Sequence, residues 1–193
     1  GNGTNVSVLV VSGHLPPLYN QKDFDITKKE AKKAFDCLGV NLWKFLKIPA
    51  TTVHTYPTAE LNKQIGDFIS NINPEIVLIP FPDRHIDHRT IFDSALVCCR
   101  PVKKEAPKIV LAYETLSETH WNAPGVEPNF IPEFYIDIGK TIDIKLNALK
   151  LYKSQLKNNN SRSVQATKAL ASFRGSQNGC SYAEAFKVIR IIM

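Results

Sequence analysis

The segment DRHIDH, residues 83–88, gathers the side chains best suited to chemistry in this 193-residue chain. It holds two of the five histidines and two carboxylates within six residues. Histidine is the commonest metal-binding side chain at such sites, and a nearby carboxylate can orient its ring or act as a base. A cluster of capping hydrogen bonds before a helix would use the same residues, and this short motif alone leaves the two interpretations even. A catalytic zinc needs three protein ligands, of which this segment offers two at most.

Two predicted elements would hold this segment in place. EIVLIP, residues 75–80, is a short apolar run typical of a buried parallel strand, and a helix is expected from about residue 89 to 99. In open α/β sheets, ligands bind at the carboxyl ends of the strands. The segment therefore falls where such a fold places its active site.

Strand and helix patterns alternate along the rest of the chain. Residues 6–11 form a second apolar run, and a helix should begin at a capping box of Thr27 and Glu30 and end at Gly39. Further strands are expected at about 40–46, 108–113 and 134–138. Further helices are expected at about 58–72, 140–155, 163–173 and 181–191. The last of these helices should begin at a capping box of Ser181 and Glu184. This order predicts an α/β, Rossmann-like fold with a mostly parallel sheet flanked by helices.

The composition indicates a globular protein with a mild positive charge. The chain carries 24 basic and 18 acidic residues, a net charge of +6, and no run near the ~20 apolar residues of a membrane helix. No signal peptide is visible, so a cytoplasmic location is expected. The charge fits an ordinary basic surface, or attraction to a sugar phosphate, a nucleotide sugar or an acidic membrane. The lysines are spread along helices without an aromatic and basic binding module, which argues against nucleic acid.

The four cysteines form no CxxC pair. They are Cys37, Cys98, Cys99 and Cys180. We expect them to be reduced and structural, and we expect no cysteine-based metal site.

Five segments of the chain resemble the PIG-L/LmbE family of deacetylases. They are ITKKEAKKAFDCLGV, PEIVLIPFPDRHIDHRTIFDSALVCCRP, YETLSETHWN, FYIDIGKTIDIKLNALKLYKSQ and FRGSQNGCSYAEAFKVIR. The second segment is similar to the family's HxDH loop with its flanking strand and helix. The resemblance runs from about residue 6 to 191 with the elements in the family's order, so it is more specific than HxDH alone. It implies a single LmbE-like domain over residues 1–193.

The resemblance implies zinc-dependent removal of the N-acetyl group from an N-acetylglucosamine-type sugar conjugate, a small molecule. In the family, Zn²⁺ (or another divalent metal) is held by a His and an Asp of an AHPDDE motif and by the last His of HxDH, which is His88 here. His85 matches the histidine that stabilises or protonates the tetrahedral intermediate. Asp87 matches the carboxylate that orients a histidine of the site. Zinc lowers the pKa of its bound water to ~7, which gives a strong nucleophile at neutral pH.

The family's AHPDDE motif is not found in this sequence. His14 follows the first strand as that histidine does, but Pro16 and Pro17 stand where its aspartates would be. The 12 residues between His14 and Thr27 are also too few, since a parallel crossover takes about a dozen residues and a strand ~5 more. We therefore align VSVLVVSG with the family's second strand, so that its first strand, metal motif and first helix would precede Gly1. On this alignment the metal site is incomplete, and we expect the chain as given to bind zinc weakly and to be inactive.

Four further residues are candidates for substrate contacts. They are Arg84 in the HxDH segment, Glu114 at the end of a predicted strand, Trp121 in the long loop 114–132, and His14. Trp121 suits stacking on a sugar ring, although a buried tryptophan that anchors the loop fits equally well. A metal-free relative that binds a sugar or nucleotide sugar without cleaving it is the alternative to the enzyme. The carrier of the sugar and the oligomeric state stay open.

Overall fold

The structure, a computed structural model, describes residues 3–102, 105–156 and 160–193. The elements in chain order are β1 Ser7–Gly13, α1 Gln21–Leu38, β2 Leu42–Pro49, α2 Thr58–Ile72, β3 Ile76–Pro80, α3 Ile86–Cys98, β4 Ile109–Tyr113, β5 Phe134–Asp137, α4 Ile142–Lys150, α5 Val164–Ser176 and β6 Ala183–Ile191. Strands and helices alternate up to β4, so the predicted α/β class is confirmed. None of the helices in these ranges has the length and apolar character that a bilayer crossing requires.

The chain divides into two compact units. Unit 1 comprises Gly1–Pro49 and Tyr135–Glu184, and unit 2 comprises Ala50–Phe134 and Ala185–Met193. The residues of DRHIDH and the long loop that follows β4 all belong to unit 2.

In unit 1, helix α1 begins earlier than the sequence pattern predicts. Its N-cap is Asn20, whose backbone N–H donates to the carboxylate of Asp23 at 3.2 Å. Thr27 lies inside the helix, where its hydroxyl donates to the backbone oxygen of Asp23. The predicted capping box of Thr27 and Glu30 is wrong, because Asn20 and Asp23 supply the same arrangement nearer the N-terminus. The predicted end is confirmed by Gly39, which adopts a left-handed φ of 69°.

Aromatic side chains join α1 to the sheet of unit 1. β1 and β2 pair in parallel, with Val10 opposite Phe45. The Phe45 ring meets Phe24 of α1 edge to face at 6.2 Å, and Phe35 of the same helix lies 6.3 Å away. Such ring pairs stabilise by about 0.5–1.5 kcal/mol beyond the apolar area that they bury. The spacing of apolar residues in α1 thus places its buried face on β2.

The sheet of unit 2 sets the position of the HxDH segment. β3 and β4 pair in parallel, with Ile76 opposite Ile109. The core beneath them consists of Ile79, Phe81, Ala95, Cys99, Val110 and Ala112. Because the two strands are parallel, their carboxyl ends lie at the same edge of the sheet. The segment after β3, which carries DRHIDH, therefore lies beside the loop that begins after β4.

The last predicted helix is a strand. Residues Ala183–Ile191 form β6, which runs antiparallel to β4, with Phe186 opposite Tyr113. The predicted capping box of Ser181 and Glu184 is therefore wrong. The stretch FKVIRI is rich in β-branched and aromatic residues, which favour strands, and pairing with β4 overrides the helix-favouring AEA that precedes it.

The four cysteines are free thiols, which confirms the prediction that they are reduced. Burial raises the pKa of the Cys99 thiol to about 11, and burial also raises the pKa of Cys98. Both neighbouring thiols therefore stay protonated at neutral pH, so they lack the thiolate that reacts or binds metals.

Candidate active site

The HxDH segment forms the first turn of helix α3. We predicted that this helix begins near Arg89, but it begins at Ile86, with His85 as its N-cap. The Nδ1 atom of His85 accepts a hydrogen bond from the backbone N–H of Asp87 at 3.2 Å. Histidine is not among the preferred N-cap residues, which explains why the sequence places the start one turn late. Asp87 and His88 consequently lie on a rigid helical turn.

The carboxylate of Asp83 is the centre of the hydrogen-bond network at this turn. It is fully buried, with 0% exposure. Its Oδ1 atom lies 2.9 Å from Nδ1 of His88 and accepts the backbone N–H of His85 at 3.0 Å. Its Oδ2 atom accepts the hydroxyl of Thr119 at 2.7 Å. Burial alone would raise the pKa of Asp83, but the hydrogen bonds from His88, Thr119 and His85 outweigh it and hold that pKa below its ordinary value.

An ionised Asp83 fixes the tautomer of His88. A carboxylate can only accept, so Nδ1 of His88 carries the hydrogen, and in the neutral ring Nε2 carries the lone pair. The side chain of His88 is 21% exposed. Metal-binding histidines typically donate the hydrogen of one ring nitrogen to a carboxylate in this way and bind the metal with the other. His88 thus has the bonding pattern of a ligand, and its role in binding a metal stays a prediction.

The ring of His85 lies against that of His88. Their centroids are 4.8 Å apart, and the ring planes make an angle of 26°. Because Nδ1 of His85 accepts the N–H of Asp87, the hydrogen of its neutral ring resides on Nε2. The structure therefore brings together the two histidines that we predicted to act in one site.

Asp87 is buried and receives hydrogen bonds from the backbone that follows β2. The N–H of Thr51 donates to Oδ2 at 2.7 Å, and the N–H of Val53 donates to Oδ1 at 3.2 Å. The resemblance to the family implied that Asp87 orients a histidine of the site, and this role stays a prediction. The carboxylate that binds His88 is that of Asp83. Asp87 connects the first turn of α3 to the loop at 51–53, and its backbone N–H binds His85.

Replacement of Asp87 by asparagine should lower the free energy of unfolding by about 1–2 kcal/mol. An amide NH₂ would face a backbone N–H that the carboxylate now accepts, from Thr51 or from buried Val53, and a donor left without its partner costs about that much. Urea denaturation gives the measurement. Asp67, which pairs with Lys63 on the surface of α2, is the matched control, and its asparagine variant should differ from the wild type by less than about 0.5 kcal/mol. Equal effects in the two variants would contradict this role of Asp87.

Besides Thr119, two further side chains of the long loop after β4 bind the HxDH segment or the residue that follows it. Asn122 accepts the backbone N–H of Arg84 at 2.8 Å. Glu127 pairs with Arg89 at 3.0 Å, while Arg89 also donates to the backbone oxygen of Asp83. These bonds tie both ends of residues 122–127 to the start of α3.

Arg84 and Trp121, both predicted to contact substrate, lie next to each other. The guanidinium carbon of Arg84 is 6.0 Å from the centroid of the indole ring, within cation–π distance. Trp121 is 53% exposed, so it is not the buried anchor that was the alternative interpretation. An exposed aromatic face beside a cation is a suitable contact for a sugar derivative.

The other two candidates for substrate contact have partners of their own. The carboxylate of Glu114 lies 2.9 Å from Nε2 of His120, with the Glu114 side chain almost fully buried. His14 belongs to unit 1, where its ring stacks on Tyr19 at 4.2 Å. Burial and the charge of Arg162 lower the pKa of His14. Substrate contact by Glu114 or His14 stays a prediction.

The residues that the structure describes form no group of three or more side chains able to hold a metal ion. His88 fits a metal ligand because Asp83 leaves its Nε2 lone pair available. A catalytic zinc requires two further protein ligands. Whether the metal site is incomplete therefore stays a prediction.

The family assignment comes from comparison with known protein families. The family described as PIG-L: GlcNAc-PI de-N-acetylase matches residues 3–99, half of the chain. This chain belongs to the PIG-L family. The matched region contains β1 through α3 and includes the whole DRHIDH segment.

Solved structures share the fold of this PIG-L chain. The conserved protein TT1542 from Thermus thermophilus is 22% identical with a TM-score of 0.75, and the match covers 100% of this chain and 84% of TT1542. N,N'-diacetylchitobiose deacetylase from Pyrococcus horikoshii is 18% identical with a TM-score of 0.74, and the match covers 97% of this chain and 74% of the deacetylase. GalB, the 4-carboxy-2-hydroxymuconate hydratase of Pseudomonas putida, is 17% identical with a TM-score of 0.71, and the match covers 97% of this chain and 98% of GalB. At these identities the likeness establishes the LmbE-like fold, and the hydratase shows that this fold carries more than one reaction.

Sequence reasoning gave no role to several residues of the PIG-L site. Asp83 was visible in DRHIDH, and its position three residues after the end of β3 and five residues before His88 could have marked it as the orienting carboxylate. Thr119 and Asn122 carry no such signal. Their roles depend on how the long loop folds back, which the sequence pattern does not determine.

Proposed function

We propose that this PIG-L protein is a metal-dependent amide hydrolase that removes the N-acetyl group from an N-acetylglucosamine-type sugar conjugate. Its family is described as a GlcNAc-PI de-N-acetylase, and proteins of the same fold are named as deacetylases of diacetylchitobiose and teicoplanin. The observation that carries the proposal is the buried Asp83 carboxylate, which holds Nδ1 of His88 and leaves its Nε2 lone pair for a metal.

In this proposal each residue of the site has one task. His88 supplies one nitrogen ligand. His85, whose Nε2 carries the hydrogen, donates a hydrogen bond to the oxyanion that forms on the amide carbon. Arg84 and Trp121 bind the sugar or its carrier at the exposed side.

A catalytic zinc needs two protein ligands besides His88. In the family these belong to the AHPDDE motif. The proposal is tested on the full-length product of the gene.

The test is a product assay on that protein. It should release acetate and free amine in equal amounts from N-acetylglucosamine conjugates, among them N-acetylglucosaminyl-phosphatidylinositol and N,N'-diacetylchitobiose. The release should stop when a chelator removes the metal and return when Zn²⁺ or Co²⁺ is added. Absence of acetate from the whole panel in the presence of added metal would refute the proposal.

A binding protein without hydrolytic activity is the second candidate. This candidate is favoured because His88 has the bonding pattern of a metal ligand, whereas the described residues supply no complete set of ligands. Calorimetry distinguishes the two functions. Sugar binding that is unchanged by a chelator, together with no acetate release, would identify the binding protein.

A further inference from the structure

Thr119 connects the long loop after β4 to the metal-binding histidine through the buried carboxylate of Asp83. The hydroxyl of Thr119 donates to Oδ2 of Asp83 at 2.7 Å, and it accepts the backbone N–H of Thr115 at 2.8 Å. The opposite oxygen of the same carboxylate binds Nδ1 of His88 at 2.9 Å. A continuous chain of hydrogen bonds therefore runs from the loop backbone to the imidazole ring.

The middle of this chain, formed by Thr119 and Asp83, is shielded from water. Thr119 is 4% exposed and Asp83 is fully buried. In such surroundings a hydrogen bond is stronger than in water, and a polar group that loses its partner is left unsatisfied at a cost. Water cannot easily replace the Thr119 hydroxyl, so the position of the Asp83 carboxylate depends on this loop residue.

The loop segment that holds Thr119 also carries the exposed aromatic residue. Thr119 and Trp121 belong to the same 3₁₀ turn, Thr119–Trp121, and Asn122 directly after it receives the N–H of Arg84. A displacement of this turn would move Trp121 and pull on Asp83 at the same time.

We propose that Thr119 is a positioning residue that couples the loop bearing Trp121 to the orientation and tautomer of the His88 ring. The loop is on this view a part of the metal site rather than an independent lid. A molecule that contacts Trp121 acts on His88 through the turn, the Thr119 hydroxyl and the Asp83 carboxylate. The orientation of the His88 ring can be measured in the protein without metal or substrate. The importance of that orientation for catalysis rests on the proposed function.

The tautomer of His88 is the direct readout of this coupling. In ¹⁵N NMR spectra of the wild-type protein without metal, His88 should show a protonated Nδ1 and an unprotonated Nε2, and the signal is assigned by its loss in His88→Gln. Thr119→Val removes the hydroxyl while keeping the shape of the side chain, and it should give a mixture of tautomers. Thr119→Ser restores the hydroxyl and should return the wild-type pattern.

Zinc affinity provides a second measurement on the same variants. Loss of a partner behind a ligand typically weakens metal binding 10–100-fold, so Thr119→Val should raise the Kd for Zn²⁺ by about 10-fold or more and Thr119→Ser by less than about 3-fold. Thr90→Val is the matched control, because the Thr90 hydroxyl donates to the backbone oxygen of Ile86 outside this network. It should leave both readouts unchanged.

An unchanged His88 tautomer in folded Thr119→Val would overturn the proposal, whether or not the protein releases acetate. If Thr119→Val does not fold, Thr119→Ser and Asn122→Ala decide in its place. The serine variant must keep the wild-type tautomer, and loosening the turn by Asn122→Ala must disturb it. Failure of either expectation counts against the coupling. A protein without deacetylase activity but with a hydroxyl-dependent His88 tautomer would contradict the proposed function alone.

Discussion

His88→Ala should reduce the affinity of the complete protein for Zn²⁺ and its rate of acetate release by at least about 100-fold each. Removal of a partner that merely orients a ligand already costs 10–100-fold, and loss of the ligand itself should cost at least the upper value. The change also leaves the Asp83 carboxylate without the ring that now binds Oδ1 at 2.9 Å. Metal analysis after dialysis and a continuous acetate assay give the two numbers.

His54→Ala is the control for this experiment. His54 is exposed and lies in the short 3₁₀ turn Val53–Thr55 of the same unit. Its replacement should change zinc affinity and rate by less than about 2-fold, since surface substitutions away from a site have small effects. A His88→Ala variant that keeps full zinc content and activity would remove this histidine from the metal site and would remove the main support for the proposed function.

Gly175→Ala should lower the free energy of unfolding by about 3 kcal/mol. A methyl group at this position would lie 2.6 Å from the carbonyl oxygen of Cys180, 2.7 Å from the nitrogen of Tyr182 and 2.8 Å from the carbonyl carbon of Ser181. All three are backbone atoms, so the segment after α5 would have to move as a whole. Overpacking of a buried position typically costs 1–3 kcal/mol, and the rigid neighbours place this substitution at the upper end.

Gly66→Ala is the matched control for Gly175→Ala. Gly66 lies inside α2, and its added methyl group would meet only the sulfur of Cys98 at an ordinary 3.6 Å. Alanine is the better helix former by about 0.8–1.0 kcal/mol, so this variant should be more stable than the wild type. Chemical denaturation of both variants gives the comparison. If Gly66→Ala lowered the free energy of unfolding and Gly175→Ala left it unchanged, the close packing around Gly175 would be contradicted.

The parts of the fold that could be predicted are those in which the pattern of apolar residues identifies the element without help from distant segments. β3 is a continuous apolar run, and α2 begins at the expected Thr58 and ends before Asn73, which adopts a φ of 50°. In both, local sequence and tertiary packing favour the same structure, so periodicity was sufficient.

The errors arose where a local signal competed with a distant partner. Glu184 follows Ser181 at capping-box spacing, yet it lies in β6, and its carboxylate pairs with Lys145, which belongs to the same unit. Glu30 also has capping-box spacing, but its carboxylate accepts the N–H and the hydroxyl of Ser154 at 3.0 and 2.6 Å. Both carboxylates bind residues far along the chain, which a pattern confined to four neighbouring residues does not reveal.

The site shows the same division between local and distant information. His85 and His88 were predictable because both lie within one short motif. Asp83 was in view but unassigned, since choosing between it and Asp87 as the orienting carboxylate requires the path of the backbone. Thr119 is 36 residues from Asp83, and only the pairing of β3 with β4 brings the two together.

The stacked histidines, although chemically identical side chains, are not interchangeable. The N–H of Asp87 makes Nδ1 of His85 an acceptor, so its far nitrogen presents a hydrogen, whereas the Asp83 carboxylate makes the far nitrogen of His88 an electron-pair donor. The free nitrogen of the His85 ring is therefore a hydrogen-bond donor and that of the neutral His88 ring is a base. The two ring centroids are 4.8 Å apart. The pair can therefore hold a hydrogen-bond acceptor at His85 beside an electron-pair acceptor, such as a metal ion, at His88. Exchanging the two hydrogen-bond partners would reverse the roles of the two rings.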